Sequence, residues 1–256
     1  MGTPWITVNA IGVRLCRREE GKRKMAIKPI LFNTEMVRAI LDGRKTCTRR
    51  VVKPQPDEKH GYPIGIIQGS TEKKDIGCMA FGASEYGGSF QYAKAPYLPE
   101  DILYVRETWQ YLYELDGNEQ VIEDTGKYYY AATDTIPFDT YVDENGVGHD
   151  HAPWRPSIHM PKDAARIWLK VTDVRVERLR DITLGDIKKE GIYDNYKTYS
   201  KEYLENLRAG TYPKVFAELW DSTIKKSDRN RYGWEASPWV WVIEFERCEK
   251  PEEVEE

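Results

Sequence analysis

Cysteine and histidine are both scarce, four of each in 256 residues. Cys16, Cys47, Cys78 and Cys248 show no paired spacing of a metal site and no disulfide framework. Reduced thiols in a cytoplasmic setting are the expectation. Among the histidines only His149 and His151 stand close, in a Gly/Asp-rich stretch without a matching ligand pair elsewhere; a solvated loop is expected there, and no metal. Long apolar runs are missing as well. Nothing approaches the roughly 20 residues that span a bilayer, and no apolar segment precedes a small-residue cleavage site near the start. An excess of positive charge is also lacking: the net charge is −4 and the pI about 5.8. That excludes a broad electrostatic footprint for duplex nucleic acid and leaves room only for a local basic pocket. There is no internal repeat, and no cofactor is called for.

What is present is enough for a core: 40% hydrophobic and 12% aromatic residues, with 31% charged residues to solvate the surface. Charge is uneven. Residues 1–24 carry six cations against two glutamates, a net of +4, and residues 249–256 form an acidic tail of net −4. The run 17–24 can be encoded almost wholly by purine codons, as a ribosome-binding site before Met25 would be. Residues 1–24 are therefore expected to be a weakly ordered extension, with Met1 and Met25 both open as the native start. Residues 25–248 read as a single domain with insertions near 53–100, 111–160 and 192–235. The first of these is rich in Pro, Gly, Ser and Tyr and reads as an insertion or a lid rather than core.

Within that domain a short strand over 27–32 is followed by Asn33 or Thr34 as a helix cap. Met36 and Ile40, and Val37 and Leu41, pair on one apolar face. Gly43 closes the helix. Further strands are expected over 102–109, 128–132, 167–176 and 239–246, the last with Trp239, Trp241, Ile243 and Phe245 on one face. A short helix capped by Thr183 ends at Gly191. A second helical region starts at Ser200, breaks at Gly210 and restarts near Pro213. This mixture predicts an α+β barrel rather than a doubly wound sheet.

The segment with most chemistry is the basic turn after the first helix. Arg44, Lys45, Arg49 and Arg50 fall within seven residues, with Thr46 and Thr48 between them. Such a cluster can simply complement a helix C-terminus. It can equally bind an anion or the edge of a base, since a guanidinium is a planar fork. A lysine there can serve as a base if neighbouring cations favour its neutral form. A second constellation is Arg106-Glu107-Thr108-Trp109, in which a Trp face stacks a base and Arg and Glu read its edge; a core Trp beside a surface ion pair is the plainer alternative. Trp154 is a further candidate stacking face.

The succession strand, helix, then Leu41-Asp42-Gly43-Arg44-Lys45-Thr46-Cys47-Thr48-Arg49-Arg50 resembles the signature of the ASCH family, a branch of the PUA-like β-barrels. The segments starting Pro99-Glu100-Asp101, Val171-Thr172-Asp173-Val174, Ile187-Lys188-Lys189-Glu190-Gly191 and Trp241-Val242-Ile243-Glu244-Phe245 are similar to that family's later elements. The form found here resembles ASCH proteins of phages and prophages. The resemblance implies a PUA-like β-barrel with flanking short helices and long loop insertions, and a nucleobase- or RNA-related role. A hydrolase branch of the family removes an acyl group from N-acetylcytidine with a lysine, a threonine and a distant glutamate, which match Lys45, Thr48 and Glu190. Arg44, Arg49, Arg50, Arg106, Glu107 and Trp109 are the candidate ligand-binding residues.

Three functions follow as expectations. The first is a module that binds a nucleobase, a modified nucleoside or single-stranded RNA. The second is an amidohydrolase on an acylated, cytidine-like nucleoside, or a ribonuclease, using the same pocket. The third is a phage accessory protein whose insertions bind a host protein.

Overall fold

Asn33 precedes an apolar i,i+4 pattern, and its side-chain oxygen accepts the Met36 amide at 2.9 Å. The first helix therefore begins where a capping residue can satisfy an otherwise orphaned amide. In the computed structural model of the chain, β1 (Ile27–Leu31) leads into this helix, α1 (Thr34–Leu41), which buries Val37, Ala39 and Ile40. Gly43, at φ +73°, takes the left-handed position just past the helix end. The structure describes residues 25–68, 70, 72–114, 116, 118, 120, 122–136, 141–142, 148–149, 153–192 and 211–252. The expected extension 1–24, the start of the helical region at 200, Asp150 and His151, and the end of the acidic tail lie outside the described residues.

The strands that follow are β2 (Cys47–Val51), β3 (Tyr62–Ile66), β4 (Cys78–Ser84), β5 (Gly87–Lys94), β6 (Ile102–Arg106), β7 (Trp109–Leu112), β8 (Lys127–Tyr130), β9 (Tyr141–Val142), β10 (Gly148–His149), β11 (Trp168–Arg178) and β12 (Trp239–Cys248). The later helices are α2 (Leu184–Lys189), α3 (Thr211–Thr223) and α4 (Arg229–Tyr232). The fold is mixed α+β. Its main sheet has five strands in the order β1-β6-β11-β12-β2. β1 and β6 run parallel and the other neighbours are antiparallel. The strands expected near Ile30, Leu103, Leu169 and Val242 thus share one sheet, together with β2. It is not a closed barrel among the described residues, because β1 and β2 share no backbone ladder. The two edges nevertheless meet through a side chain: Arg50 of β2 donates to the Leu31 carbonyl of β1 at 3.0 Å.

β12 is buried on both faces. Trp239, Trp241, Ile243 and Phe245 join the main core with Ile30, Leu103, Val105, Leu169 and Val171. Val240 turns the other way, into a second cluster with Leu179, Ile187, Phe216 and Trp220 under α2 and α3. A third cluster gathers Ile102, Trp109, Met160 and Trp168.

Two expectations are corrected. Residues 53–100 are not merely a lid. β3, β4 and β5 form a three-stranded sheet, and Met79, Phe81, Ala93 and Ala95 from it belong to the main core. The hydrophobic pattern hides this because inward positions are partly alanine while tyrosines stand outward, which inverts the usual contrast. Residues 102–109 are not one strand either. The ladder stops at Arg106, and Trp109 begins a separate hairpin with β8. Glu107 lies between them, 1% exposed and paired with Arg166 at 2.9 Å. A buried carboxylate needs such a counter-charge, and a long-range partner of this kind leaves no local sequence signal.

Candidate functional site

Three local devices bring the basic turn against the end of α2. Thr183 and Asp186 form a reciprocal capping box that fixes where α2 starts. Gly191, at φ +85°, ends it; a Cβ there would lie 2.7 Å from the Ala39 Cβ and 2.9 Å from the Lys45 Cβ, so only glycine permits the approach. The turn is then stitched in place by Thr46 N to the Lys189 carbonyl and Phe245 N to the Thr46 carbonyl, both at 2.9 Å.

The result joins residues 145 positions apart. Lys45 Nζ donates to Glu190 Oε2 at 2.7 Å, to the Glu190 carbonyl at 3.0 Å and to the Cys47 carbonyl at 2.8 Å. The Lys45 side chain is 0% exposed and that of Glu190 7%. The second carboxylate oxygen, Oε1, accepts Arg49 Nη1 at 3.1 Å, while Arg49 Nε and Nη2 reach Glu177 Oε1 at 2.8 and 2.6 Å. Burial works against the Arg49 charge, but Glu190 and Glu177 outweigh it and hold its pKa above the ordinary arginine value. The neutral-lysine expectation relied on Arg44, Arg49 and Arg50 crowding the amine. Instead Lys45 shares the Glu190 carboxylate with Arg49 and makes three hydrogen bonds, while Arg44 and Arg50 are engaged elsewhere.

Cys47 lies inside this network, fully buried. Burial, reinforced by the Glu190 carboxylate, pushes its thiol up to about 12. Because the thiolate is the reactive form, Cys47 in the folded protein is expected to resist iodoacetamide at pH 8 and to react once denatured; peptide mapping by mass spectrometry reads this out.

Thr48 and Arg50 point to the opposite face of β2, level with Ile243 and Trp241 of β12. Thr48 is 1% exposed and is not among the acceptors of Lys45 Nζ. Arg50 is only partly buried. Its guanidinium lies 5.6 Å from the centroid of the Phe32 ring, and Lys45 Nζ lies 5.5 Å from the same ring. Among the described residues Arg50 has one side-chain hydrogen bond, to Leu31, and no carboxylate within ion-pair distance. Burial lowers its pKa below the ordinary arginine value.

Comparison with protein-family models, with curated proteins and with solved structures found no match.

The other candidate residues lie elsewhere. Arg44 binds Asp42 at 2.9 Å and the Gly191 carbonyl at 2.8 Å, at the rim of the turn. Arg106 Nε donates to the Met160 carbonyl at 2.7 Å. Glu107 is held by a bidentate Arg166, 2.9 Å on each side, with that guanidinium 4.0 Å over the Tyr130 ring. Trp109 is 6% exposed, with Arg155 over its ring and Tyr128 against it, so it is packed rather than presented to a ligand. Trp154 is partly exposed and precedes the bridge between Trp109 and Arg155. No group of His, Cys, Asp and Glu suited to a metal occurs among the described residues. Sequence reading missed Glu177 and Phe32. Alternation along β11 could have put Glu177 on the face of Arg175, but nothing local links either residue to the basic turn.

Proposed function

We propose that the chain is an ASCH-type, PUA-like protein that binds a nucleobase or modified nucleoside at the gap between β1 and β2. The observation that carries this reading is Arg50: a guanidinium beside an aromatic ring, at a sheet edge, partly desolvated and, among the described residues, without a carboxylate. Such a fork suits the acceptor edge of a base or an anionic substituent, and the Phe32 ring beside it offers an apolar wall. Beside it Lys45 and Arg49 are balanced by Glu190 and Glu177, with Lys45 Nζ 5.5 Å from the same Phe32 ring. No helix among the described residues is long and apolar enough to cross a membrane; the cytoplasmic setting proposed here rests on the scarce, unpaired cysteines of the sequence.

The satisfied state of Lys45 favours binding over turnover. A hydrolase reading keeps one supporting observation, the direct Lys45–Glu190 contact at 2.7 Å. It requires Lys45 to exchange one of its three bonds for substrate or Thr48, with Thr48 as nucleophile. The test is a calorimetric screen of modified nucleosides, N-acetylcytidine included, with products followed by chromatography. Arg50→Ala is expected to weaken binding of any hit about 10- to 100-fold, the loss of a charge-assisted hydrogen bond from a desolvated site. Full affinity in Arg50→Ala would discard the Arg50 site. Product formation abolished by Thr48→Ala would replace binding by hydrolysis.

A further inference from the structure

Away from the basic turn, three polar side chains meet at one end of the three-stranded sheet. His60 Nδ1 lies 2.7 Å from Asp57 Oδ1, and His60 Nε2 lies 2.9 Å from Ser89 Oγ. The roles of the ring nitrogens follow from Asp57. Its Oδ1 also accepts the Lys59 and His60 amides, each at 3.0 Å, and the hydrogen bond from the His60 ring, with those amides, holds the carboxyl below the ordinary carboxylate range. An ionised carboxylate only accepts, so Nδ1 carries the proton, and the neutral ring offers Nε2 as an acceptor to the Ser89 hydroxyl. A local turn accounts for the two amides on Asp57; it does not account for a serine 29 positions along the chain.

The sheet and its neighbours hold both partners in place. Between the pairs Gly82–Phe90 and Ser84–Gly87, β5 has two residues, Gly88 and Ser89, where β4 has one, Ala83. Gly88, at φ +90°, gives the left-handed backbone of this bulge, and a bulge re-aims the side chain beside it. Ser89 is exposed there. Gln91, two residues on, accepts the Asp57 amide at 2.9 Å and donates to the Gln55 carbonyl at 3.2 Å. Gln55 in turn accepts the Trp239 amide at 2.8 Å and donates to the Trp239 carbonyl at 2.9 Å. The loop that carries Asp57 and His60 is thereby tied to both β5 and β12, which is the support that a pre-organised constellation requires.

We propose that Ser89, His60 and Asp57 form a second, hydrolytic site, which transfers the acyl group of small activated esters, aryl esters or thioesters, to water. It shares no residue with the Arg50 site and does not rest on the reading made there. Ser89 Oγ bonds to the carbonyl carbon as His60 Nε2 takes the hydroxyl proton. The tetrahedral intermediate then collapses: the bond from that carbon to the leaving oxygen or sulfur breaks, and the leaving group receives the proton from His60. Water repeats the two steps on the acyl-serine, releasing the acid and restoring the hydroxyl. Asp57 is a positioning residue, fixing the tautomer and the plane of the ring. Exposure selects the substrate class. The Asp57 side chain is 60% exposed and that of His60 15%, so solvent screens the support that an imidazolium receives from the carboxylate. Such a site suits leaving groups that depart as weak bases rather than the amines of peptides.

The experiment treats the full chain with a fluorophosphonate probe, whose phosphorus bonds to an activated serine oxygen as fluoride leaves, and maps the labelled peptide by mass spectrometry. Hydrolysis of p-nitrophenyl acetate is followed in parallel. The label is expected on Ser89 and absent in Ser89→Ala. His60→Ala should slow labelling and hydrolysis about 100-fold or more, the scale of a lost general base. Asp57→Asn keeps an oxygen for the turn amides and removes the charge. It is expected to lower kcat about 10-fold at unchanged KM, far less than loss of a buried triad aspartate, because this one is exposed. Ser89 and Asp57 are at the surface, so the thermal midpoint should not move in either variant, and Thr48→Ala should label like the wild type. A wild-type chain with no label on Ser89 overturns the site. Labelling at an undiminished rate in His60→Ala overturns it in favour of an ordinary exposed serine. Hydrolysis lost in Thr48→Ala and kept in Ser89→Ala overturns it in favour of the Lys45–Glu190 network.

Discussion

Glu190→Ala is expected to destabilise the folded chain by about 3–5 kcal/mol, the range for removing one partner of a buried ion pair. The size follows from what is left behind. Lys45, with a side chain 0% exposed, would keep two carbonyl acceptors and lose its carboxylate contact at 2.7 Å. Arg49 would lose one of its two closest carboxylates and keep Glu177 at 2.6 Å. For a domain of this size the cost corresponds to a fall in melting midpoint of about 6–20 °C. Thermal denaturation followed by circular dichroism checks it. A fall of less than about 2 °C would show that water reaches Lys45 and that the network is not closed. The double variant Lys45→Met/Glu190→Leu should be milder than Glu190→Ala, because it removes the stranded charge together with its partner. The comparison also bears on function: it isolates the structural part of the Lys45–Glu190 pair before any effect on ligand binding is assigned to it.

Phe81→Ala is expected to cost about 3–5 kcal/mol, as for truncation of a fully buried aromatic. Phe81 is 0% exposed, and its ring meets Trp239 edge-on at 5.5 Å. Trp239 opens β12, so Phe81 couples the three-stranded sheet to the main one. Urea denaturation should show a single transition, shifted to lower urea with its slope unchanged. Were residues 53–100 a detachable insertion, Phe81→Ala would instead split the curve into two steps, the second unmoved. This experiment therefore separates a lid resting on the core from a sheet that is part of it.

The legible parts of the sequence were those with a local cause. Asn33 and Thr183 each satisfy an amide three residues on, Gly43 and Gly191 each take positive φ after a helix, and the alternation in β12 puts four large apolar residues on one face. All of these interactions close within one turn or along one strand, so residue order alone specifies them. The same patterns placed the basic turn and the helix ending before Gly191; Lys45 and Glu190 were joined as candidates only by the resemblance to the ASCH family.

Tertiary structure alone decided the rest. That Lys45 and Glu190 touch, that Arg49 shares the same carboxylate, and that Arg50 lies beside Phe32 with no carboxylate among the described residues depend on which elements pack together and which charges they exclude from water. Ion pairing is non-directional along the chain and gains its strength from burial, so four cations in seven residues look alike until the fold desolvates some of them and pairs each differently. Burial of Trp109 and the break at Glu107 have the same origin, since both rest on Arg166 and Arg155, which approach from distant segments. Alternation and capping are properties of neighbouring residues; desolvation is a property of the whole folded chain.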